Sequence, residues 1–252
     1  MGGLTVLHAL EREMPQQSFI YLGDTARLPY GTKSATTVTR YALRASRELV
    51  DRGVSALVVA CNTASAVALD ALRAQYTGLP CFGVVEPGAA AACAVPDVAR
   101  VAVFATESTV RGGAYQRAIL ERSSHLSVRA RSCQLLVALA EEGWLDGRVP
   151  DAVLQGYLGE WLAWRPDVLL LGCTHFPVFR DQLQRLAGPK ITIVDSAQTT
   201  AVEVARALPK PGSQSPKPPE RILLATDDVS RFRRVGQYFL GEPLGAVELV
   251  DI

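Results

Sequence analysis

Residues 56–64 read Ala-Leu-Val-Val-Ala-Cys-Asn-Thr-Ala, and residues 168–175 read Val-Leu-Leu-Leu-Gly-Cys-Thr-His. Each stretch is an apolar run with the length of a buried strand, and each stops at a cysteine that polar side chains follow. Open α/β sheets bind their ligands outside the carboxyl ends of their strands. Cys61 and Cys173 therefore fall where such a fold places its site, although a cysteine can also be a small packing residue of a core.

Strands and helices alternate outward from both stretches, which predicts a parallel sheet in each half of the chain. The pattern predicts strands near residues 18–23, 56–60, 80–85, 100–106, 126–130, 168–172, 190–194, 221–226 and 246–250. It predicts helices near residues 4–14, 34–52, 62–76, 86–95, 108–122, 134–142, 150–164, after Cys173, from 197 and over 229–239.

These elements predict an α/β protein with two similar parallel-sheet domains and an active site in the cleft between them. We expect residues 1–95 and 212–252 to form the first domain and residues 96–211 to form the second. Residues 209–219 contain five prolines and are the clearest linker. The segment after it is too short to build a core alone, so we expect it to return to the first domain.

The composition excludes several classes of protein. The 252 residues are 48% hydrophobic and carry 26 basic against 25 acidic side chains, so no nucleic-acid partner is expected. The chain has five cysteines, with no Cys-x-x-Cys pair and no zinc-type spacing. This pattern favours a protein of the reducing cytoplasm, and we expect no metal site. No apolar run approaches the ~20 residues of a membrane span, and no export signal opens the chain. We expect a cytoplasmic protein without membrane contact, and a homodimer is compatible with the sequence.

Six ordered motifs carry a resemblance over nearly the whole chain. They are residues 2–7 (Gly-Gly-Leu-Thr-Val-Leu), 21–31 (Tyr-Leu-Gly-Asp-Thr-Ala-Arg-Leu-Pro-Tyr-Gly), 59–64, 86–88 (Glu-Pro-Gly), 141–143 (Glu-Glu-Gly) and 171–175. With these motifs the chain resembles the cofactor-independent glutamate racemases. The resemblance implies interconversion of L- and D-glutamate, which supplies D-glutamate for peptidoglycan, and no cofactor.

The resemblance also implies roles for individual residues. Cys61 and Cys173 match the two cysteines that act as acid and base, and His175 would assist Cys173 and contact substrate. Glu141 would support that side of the site, with Glu142 as the alternative; the sequence alone also allows a solvated pair that ends a helix. The remaining expected substrate contacts are Tyr30, Gly31, Asn62, Thr63 and Thr174.

The chemistry of inversion gives independent support to a pair of thiols. A weakly acidic proton must leave one face of Cα and another must reach the opposite face, so two opposed groups serve better than one. A thiol has an ordinary pKa near ~8.5, so its surroundings must hold one of the pair as thiolate. Only four lysines occur, none in a Schiff-base setting, and no phosphate-binding glycine loop is present.

Some positions depart from the family pattern. Family members begin with a strand ending in Asp-Ser-Gly, whose aspartate assists the first cysteine, whereas this sequence starts at Met1 where valine is common. One hypothesis is that a GTG valine codon was taken as the start and that the natural protein is longer. Gln134 replaces a usual proline and Phe176 a usual tyrosine, and we expect both changes to be tolerated without touching the chemistry.

Three functions therefore remain open on the sequence. The first is a glutamate racemase. The second is a two-thiol racemase of aspartate or another small acid, because paired cysteines do not determine side-chain length. The third is a binding protein of impaired activity, since the amino-terminal aspartate is missing and some family members bind DNA gyrase.

Overall fold

The structure is a computed structural model that describes residues 1–209 and 218–252. Most of the proline-rich stretch 209–219, and the domain boundary expected between residues 211 and 212, lie outside the described residues.

Four strands form a parallel sheet in the middle of the chain. They are β4 (Arg100–Ala105), β5 (Ser127–Ser132), β6 (Val168–Gly172) and β7 (Thr192–Asp195), in the order β5-β4-β6-β7. Every residue of β6 is buried, as expected for an inner strand covered on both faces. This burial explains why the sequence before Cys173 is continuously apolar.

The other strands form two smaller parallel sheets. β1 (Phe19–Gly23) pairs with β8 (Arg221–Ala225), and β8 pairs with β9 (Glu248–Leu249). β2 (Leu57–Val59) pairs with β3 (Cys81–Gly83). Among the described residues β1 and β2 are edge strands of separate sheets, and both line the same cavity.

Eleven α-helices in the described parts of the chain connect these strands. They are α1 (Leu4–Glu13), α2 (Ala35–Asp51), α3 (Asn62–Gln75), α4 (Val85–Cys93), α5 (Glu107–Gly112), α6 (Ala114–Arg122), α7 (Gln134–Glu141), α8 (Arg148–Trp164), α9 (Arg180–Ala187), α10 (Ser196–Ala207) and α11 (Val229–Leu240). Three of them begin at side-chain caps, Ser34, Asp195 and Asp228, which accept from backbone N–H groups of the first turn. The prediction of an α/β fold is confirmed.

Three local predictions were wrong in detail. The helix predicted over 108–122 is broken into α5 and α6 at Gly113, whose φ of 64° lies in the left-handed region. The segment after Cys173 begins with a 3₁₀ turn, Phe176–Phe179, and α9 starts only at Arg180. The last strand spans two residues instead of five, because only Glu248 and Leu249 join β8.

Apolar packing connects the small sheets to the four-stranded one. One buried cluster joins Phe104 and Leu171 to Leu223 and Phe232, so a single core runs from β4 and β6 to β8 and α11. Helix α10 packs on α1 through another apolar cluster. The division into residues 1–95 plus 212–252 and 96–211 stays a proposal. Within the described ranges, none of the helices has the length and apolar character needed to cross a membrane.

Candidate active site

One cavity opens at the carboxyl ends of β2 and β6, and both predicted thiols line it. Its walls also include the other residues predicted for the site: Tyr30, Gly31, Asn62, Thr63, Glu141, Thr174 and His175. The fold therefore brings together residues from four separated parts of the sequence. Glu142 does not line the cavity and is exposed, so Glu141 is the member of the pair at the site.

Cys61 lies at the amino terminus of α3, where it is the N-cap residue. Burial raises the pKa of its thiol, and the backbone N–H groups of Ala64 and Thr63 and the Thr63 hydroxyl, which lie near the sulfur, oppose this effect. Because the first N–H groups of a helix have no partner within the helix, those at the start of α3 are available to the sulfur. They would stabilise a thiolate at this position.

The two polar residues after Cys61 are held by contacts to α6, to the start of α10 and to the residue that follows β4. Asn62 Nδ2 donates to the hydroxyl of Tyr115 at 2.6 Å and to Ser196 Oγ at 3.3 Å. The Thr63 hydroxyl lies 3.0 Å from that of Thr106. Asn62 Oδ1 is buried and has no hydrogen-bond partner among the described residues. A buried, unpartnered acceptor in a cavity wall is a position where a ligand can bind.

Cys173 follows β6 directly and is buried. Burial raises the pKa of its thiol to about 12, although the backbone N–H of His175 stabilises the thiolate. The sulfur lies 3.7 Å from Nδ1 of His175. The Thr174 carbonyl accepts a hydrogen bond from the Thr5 hydroxyl at 3.0 Å, which holds this turn in place.

A hydrogen-bonded chain leads away from Cys173. His175 Nε2 lies 3.2 Å from Glu141 Oε1, and Glu141 Oε2 accepts from Arg231 at 3.0 Å. Burial lowers the pKa of His175, against the opposing effect of Glu141. Burial alone would raise the pKa of Glu141, but the hydrogen bond and charge of His175, the charge of the Met1 amine and the bond from Arg231 outweigh it and hold that pKa at about 2. A neutral imidazole therefore donates from Nε2 and presents its Nδ1 lone pair to the thiol.

A second network positions the loop that carries Tyr30. The Tyr30 hydroxyl donates to Asp24 Oδ2 at 2.5 Å, and Asp24 Oδ1 accepts from Arg27 at 2.8 Å and from Thr226 at 2.9 Å. Burial and the Asp24 carboxylate raise the pKa of Tyr30, so the phenol is neutral. Gly31 lies against Thr106, where an added Cβ would be 3.1 Å from the threonine Cβ.

Comparisons with known proteins agree with this geometry. The family described as Asp/Glu/Hydantoin racemase matches residues 5–204. The chain belongs to this racemase family. Proteins named glutamate racemase from Geobacter metallireducens and Koribacter versatilis are 44% and 43% identical to it, over all of this chain and 94% of each relative. A glutamate racemase from Francisella tularensis, solved with D-glutamate, superposes with a TM-score of 0.90 at 30% identity, over 99% of this chain and 94% of that one.

Several residues at this racemase site were missed by the sequence analysis. Thr106 and Ser196 follow β4 and β7 directly, so the rule that found the cysteines, polar residues after a parallel strand, could have found them. Arg231 carries no such signal, because its role depends on how α11 packs. Gln134, whose replacement of a usual proline was expected to be tolerated without touching the chemistry, lines the cavity.

The remaining three cysteines lie outside the cavity wall. Cys81 and Cys133 are buried, and Cys93 is half-buried. Within the described ranges, no group of three His, Cys, Asp or Glu side chains has a metal-binding arrangement.

Proposed function

We propose that this protein is a glutamate racemase that interconverts L- and D-glutamate with Cys61 and Cys173 as the two proton-transferring groups. The observation that carries the proposal is that two thiols from the ends of β2 and β6 line one cavity, each with its own stabilising donors. The high identity to proteins named glutamate racemase supports the choice of reaction. We further propose that the protein acts in the cytoplasm and supplies D-glutamate for peptidoglycan.

The two thiols are activated by different surroundings. On one side, the neutral Nδ1 of His175 can accept the proton of Cys173, and Glu141 then stabilises the imidazolium that forms. On the other side, the N–H groups at the start of α3 favour the Cys61 thiolate. In each direction one thiolate removes the Cα proton and the opposite thiol returns a proton, so the pair exchanges roles between the two enantiomers.

The walls around the thiols offer donors for the substrate. The hydroxyls of Thr63 and Thr174 and the amino end of α3 suit a carboxylate, because a helix amino terminus combines free N–H groups with a positive partial charge. We propose Tyr30, Gly31, Asn62, Thr63, Thr174 and His175 as substrate contacts.

Aspartate is the alternative substrate, since the family description names both amino acids. The two differ by one methylene, and such a difference in a pocket changes kcat/KM by roughly 10- to 200-fold. Turnover of glutamate and aspartate by the same preparation separates these functions. If neither amino acid is turned over but glutamate binds, the protein is a binding protein of impaired activity.

Deuterium incorporation tests the two-base reaction. L-glutamate is incubated in D₂O, and the enantiomers are separated before equilibrium is reached. We expect D-glutamate to carry deuterium at Cα while the recovered L-glutamate still carries hydrogen, because the returning proton comes from a thiol that has exchanged with solvent. D-glutamate that retains the original hydrogen would mean that one group transfers the same proton across, and would overturn the two-thiol proposal.

A further inference from the structure

The cavity-facing side of α7 carries polar groups at both of its ends. Gln134, Val137 and Glu141 line the cavity at positions i, i+3 and i+7, which share one face of a helix. At 1.5 Å of rise per residue, the two polar side chains are attached roughly 10 Å apart along the helix axis. Glu141 belongs to the His175 end of the site. Gln134 occupies the other end, where an added Cβ at Gly31 would lie 3.5 Å from Gln134 Oε1.

The side-chain carbonyl of Gln134 lacks a hydrogen-bond partner. Among the described residues, three buried side-chain oxygens are unpartnered: Asn62 Oδ1, Gln134 Oε1 and Gln182 Oε1. The first two belong to residues that line the cavity, and Gln182 does not line it. Two unsatisfied acceptors in the wall of one cavity indicate a ligand with hydrogen-bond donors.

The donors of a bound amino acid are confined to its ammonium group, because both carboxylates of glutamate only accept. The two carboxylate side chains of the cavity wall already have partners. Asp24 accepts from Arg27, Tyr30 and Thr226, and Glu141 accepts from Arg231 and pairs with His175. The amide oxygens of Asn62 and Gln134 are the buried side-chain acceptors of the described cavity wall that have no partner, and an ammonium group supplies the donors that they lack.

We propose that Gln134 is a substrate-recognition residue whose side-chain carbonyl accepts a hydrogen bond from the ammonium group of glutamate; this inference rests on the proposed function. A neutral acceptor suits the reaction better than a carboxylate would. It holds the ammonium group without neutralising it, so the positive charge remains available to stabilise the negative charge that develops at Cα.

The test compares two ligands on matched variants. Glutarate has both carboxylates of glutamate and no amino group. We expect Gln134→Met, which keeps the side-chain length and removes the polar atoms, to weaken D-glutamate binding about 10-fold and to leave glutarate binding within 2-fold. Gln134→Leu provides the same comparison if methionine packs poorly. Dissociation constants come from calorimetry, with thermal melting as the check on folding.

Gln182→Met is the control, because it removes a buried, unpartnered side-chain oxygen that lies outside the cavity, together with the bond from Gln182 Nε2 to the Leu145 carbonyl. We expect it to bind both ligands like the unaltered protein. If Gln134→Met weakens the binding of both ligands equally, or weakens the binding of neither, the inference is overturned while the proposed function stays intact. If the unaltered protein binds neither enantiomer of glutamate, the proposed function fails, and this inference fails with it.

Discussion

Nδ1 of His175 lies 3.7 Å from Sγ of Cys173, and the opposite ring nitrogen of His175 is held by Glu141. This arrangement determines which nitrogen can accept the thiol proton. Because the Glu141 carboxylate requires a proton on Nε2, Nδ1 is left with a free lone pair that faces the sulfur.

Replacing Glu141 should therefore impair the Cys173 side of the reaction. We expect Glu141→Gln to lower kcat for racemisation by about 10- to 100-fold, because the imidazolium that forms after proton transfer loses its counter-charge. Initial rates of conversion of each enantiomer measure the effect. Glu142→Gln is the control: its side chain is exposed and outside the cavity, and it should retain full activity. Equal losses in the two variants would contradict the assignment of Glu141.

Arg231 fixes the Glu141 carboxylate from the opposite direction, at 3.0 Å. Its side chain is partly exposed, so solvent weakens the pair and we expect Arg231→Met to lower kcat only about 3- to 10-fold. Arg234→Met, an exposed arginine on the same helix, is the matched control and should leave kcat unchanged. A loss of melting temperature in Arg231→Met without any change in kcat would show that the pair serves stability alone.

The same residues predict how stability depends on pH. The pKa of Glu141 is lowered from 4.5 to about 2 on folding, so its contribution is present above pH ~4.5 and is lost as pH falls towards 2. That contribution is on the order of 3 kcal/mol. The pKa of His175 is also lowered on folding. As pH falls, the unfolded state therefore binds a proton at this histidine before the folded state does, and stability begins to fall below pH ~6.5.

Urea denaturation at pH 7.5, 5.5 and 4 measures this dependence. We expect the free energy of unfolding to decrease at each step towards lower pH. In Glu141→Gln, the free energy of unfolding should depend less on pH below pH ~4.5. Glu142→Gln should follow the unaltered protein throughout. A Glu141→Gln profile parallel to the unaltered one would contradict an ionised, paired Glu141.

Gly31 lies where the Tyr30 loop approaches the four-stranded sheet. An added Cβ would come within 3.1 Å of the Thr106 Cβ and 3.5 Å of Gln134 Oε1, so we expect Gly31→Ala to push the loop into the cavity and raise KM several-fold. Gly156→Ala is the contrasting variant, since nothing lies within 4 Å of its added Cβ inside α8. It should leave KM unchanged and stabilise the protein by about 0.5–1 kcal/mol. An unaltered KM for Gly31→Ala would argue against a substrate contact there.

The strand ends could be predicted from the sequence because burial leaves a direct mark on it. The apolar run before Cys173 is visible because β6 is an inner parallel strand covered on both faces. The run before Cys61 is equally apolar, although β2 is an edge strand whose Val58 and Val59 are only half-buried. The parts of the site that depend on packing between distant segments leave no such mark. Arg231, Arg233 and Arg234 are chemically identical, and only the docking of α11 selects Arg231 for Glu141. The place of Gln134 in the cavity wall left no mark for the same reason, because the orientation of α7 decides whether it faces the cavity.

Exchange of the Cα proton by single-thiol variants tests the central claim most directly. Cys61→Ser and Cys173→Ser are each incubated in D₂O with L-glutamate and, separately, with D-glutamate, and Cα deuteration and enantiomer ratio are followed by NMR and chiral chromatography. If the two thiols face opposite sides of Cα, both variants lose racemisation, and any remaining exchange occurs with one enantiomer in Cys61→Ser and with the other in Cys173→Ser. Racemisation near the unaltered rate in either variant, or residual exchange of the same enantiomer in both, would contradict a reaction shared between Cys61 and Cys173.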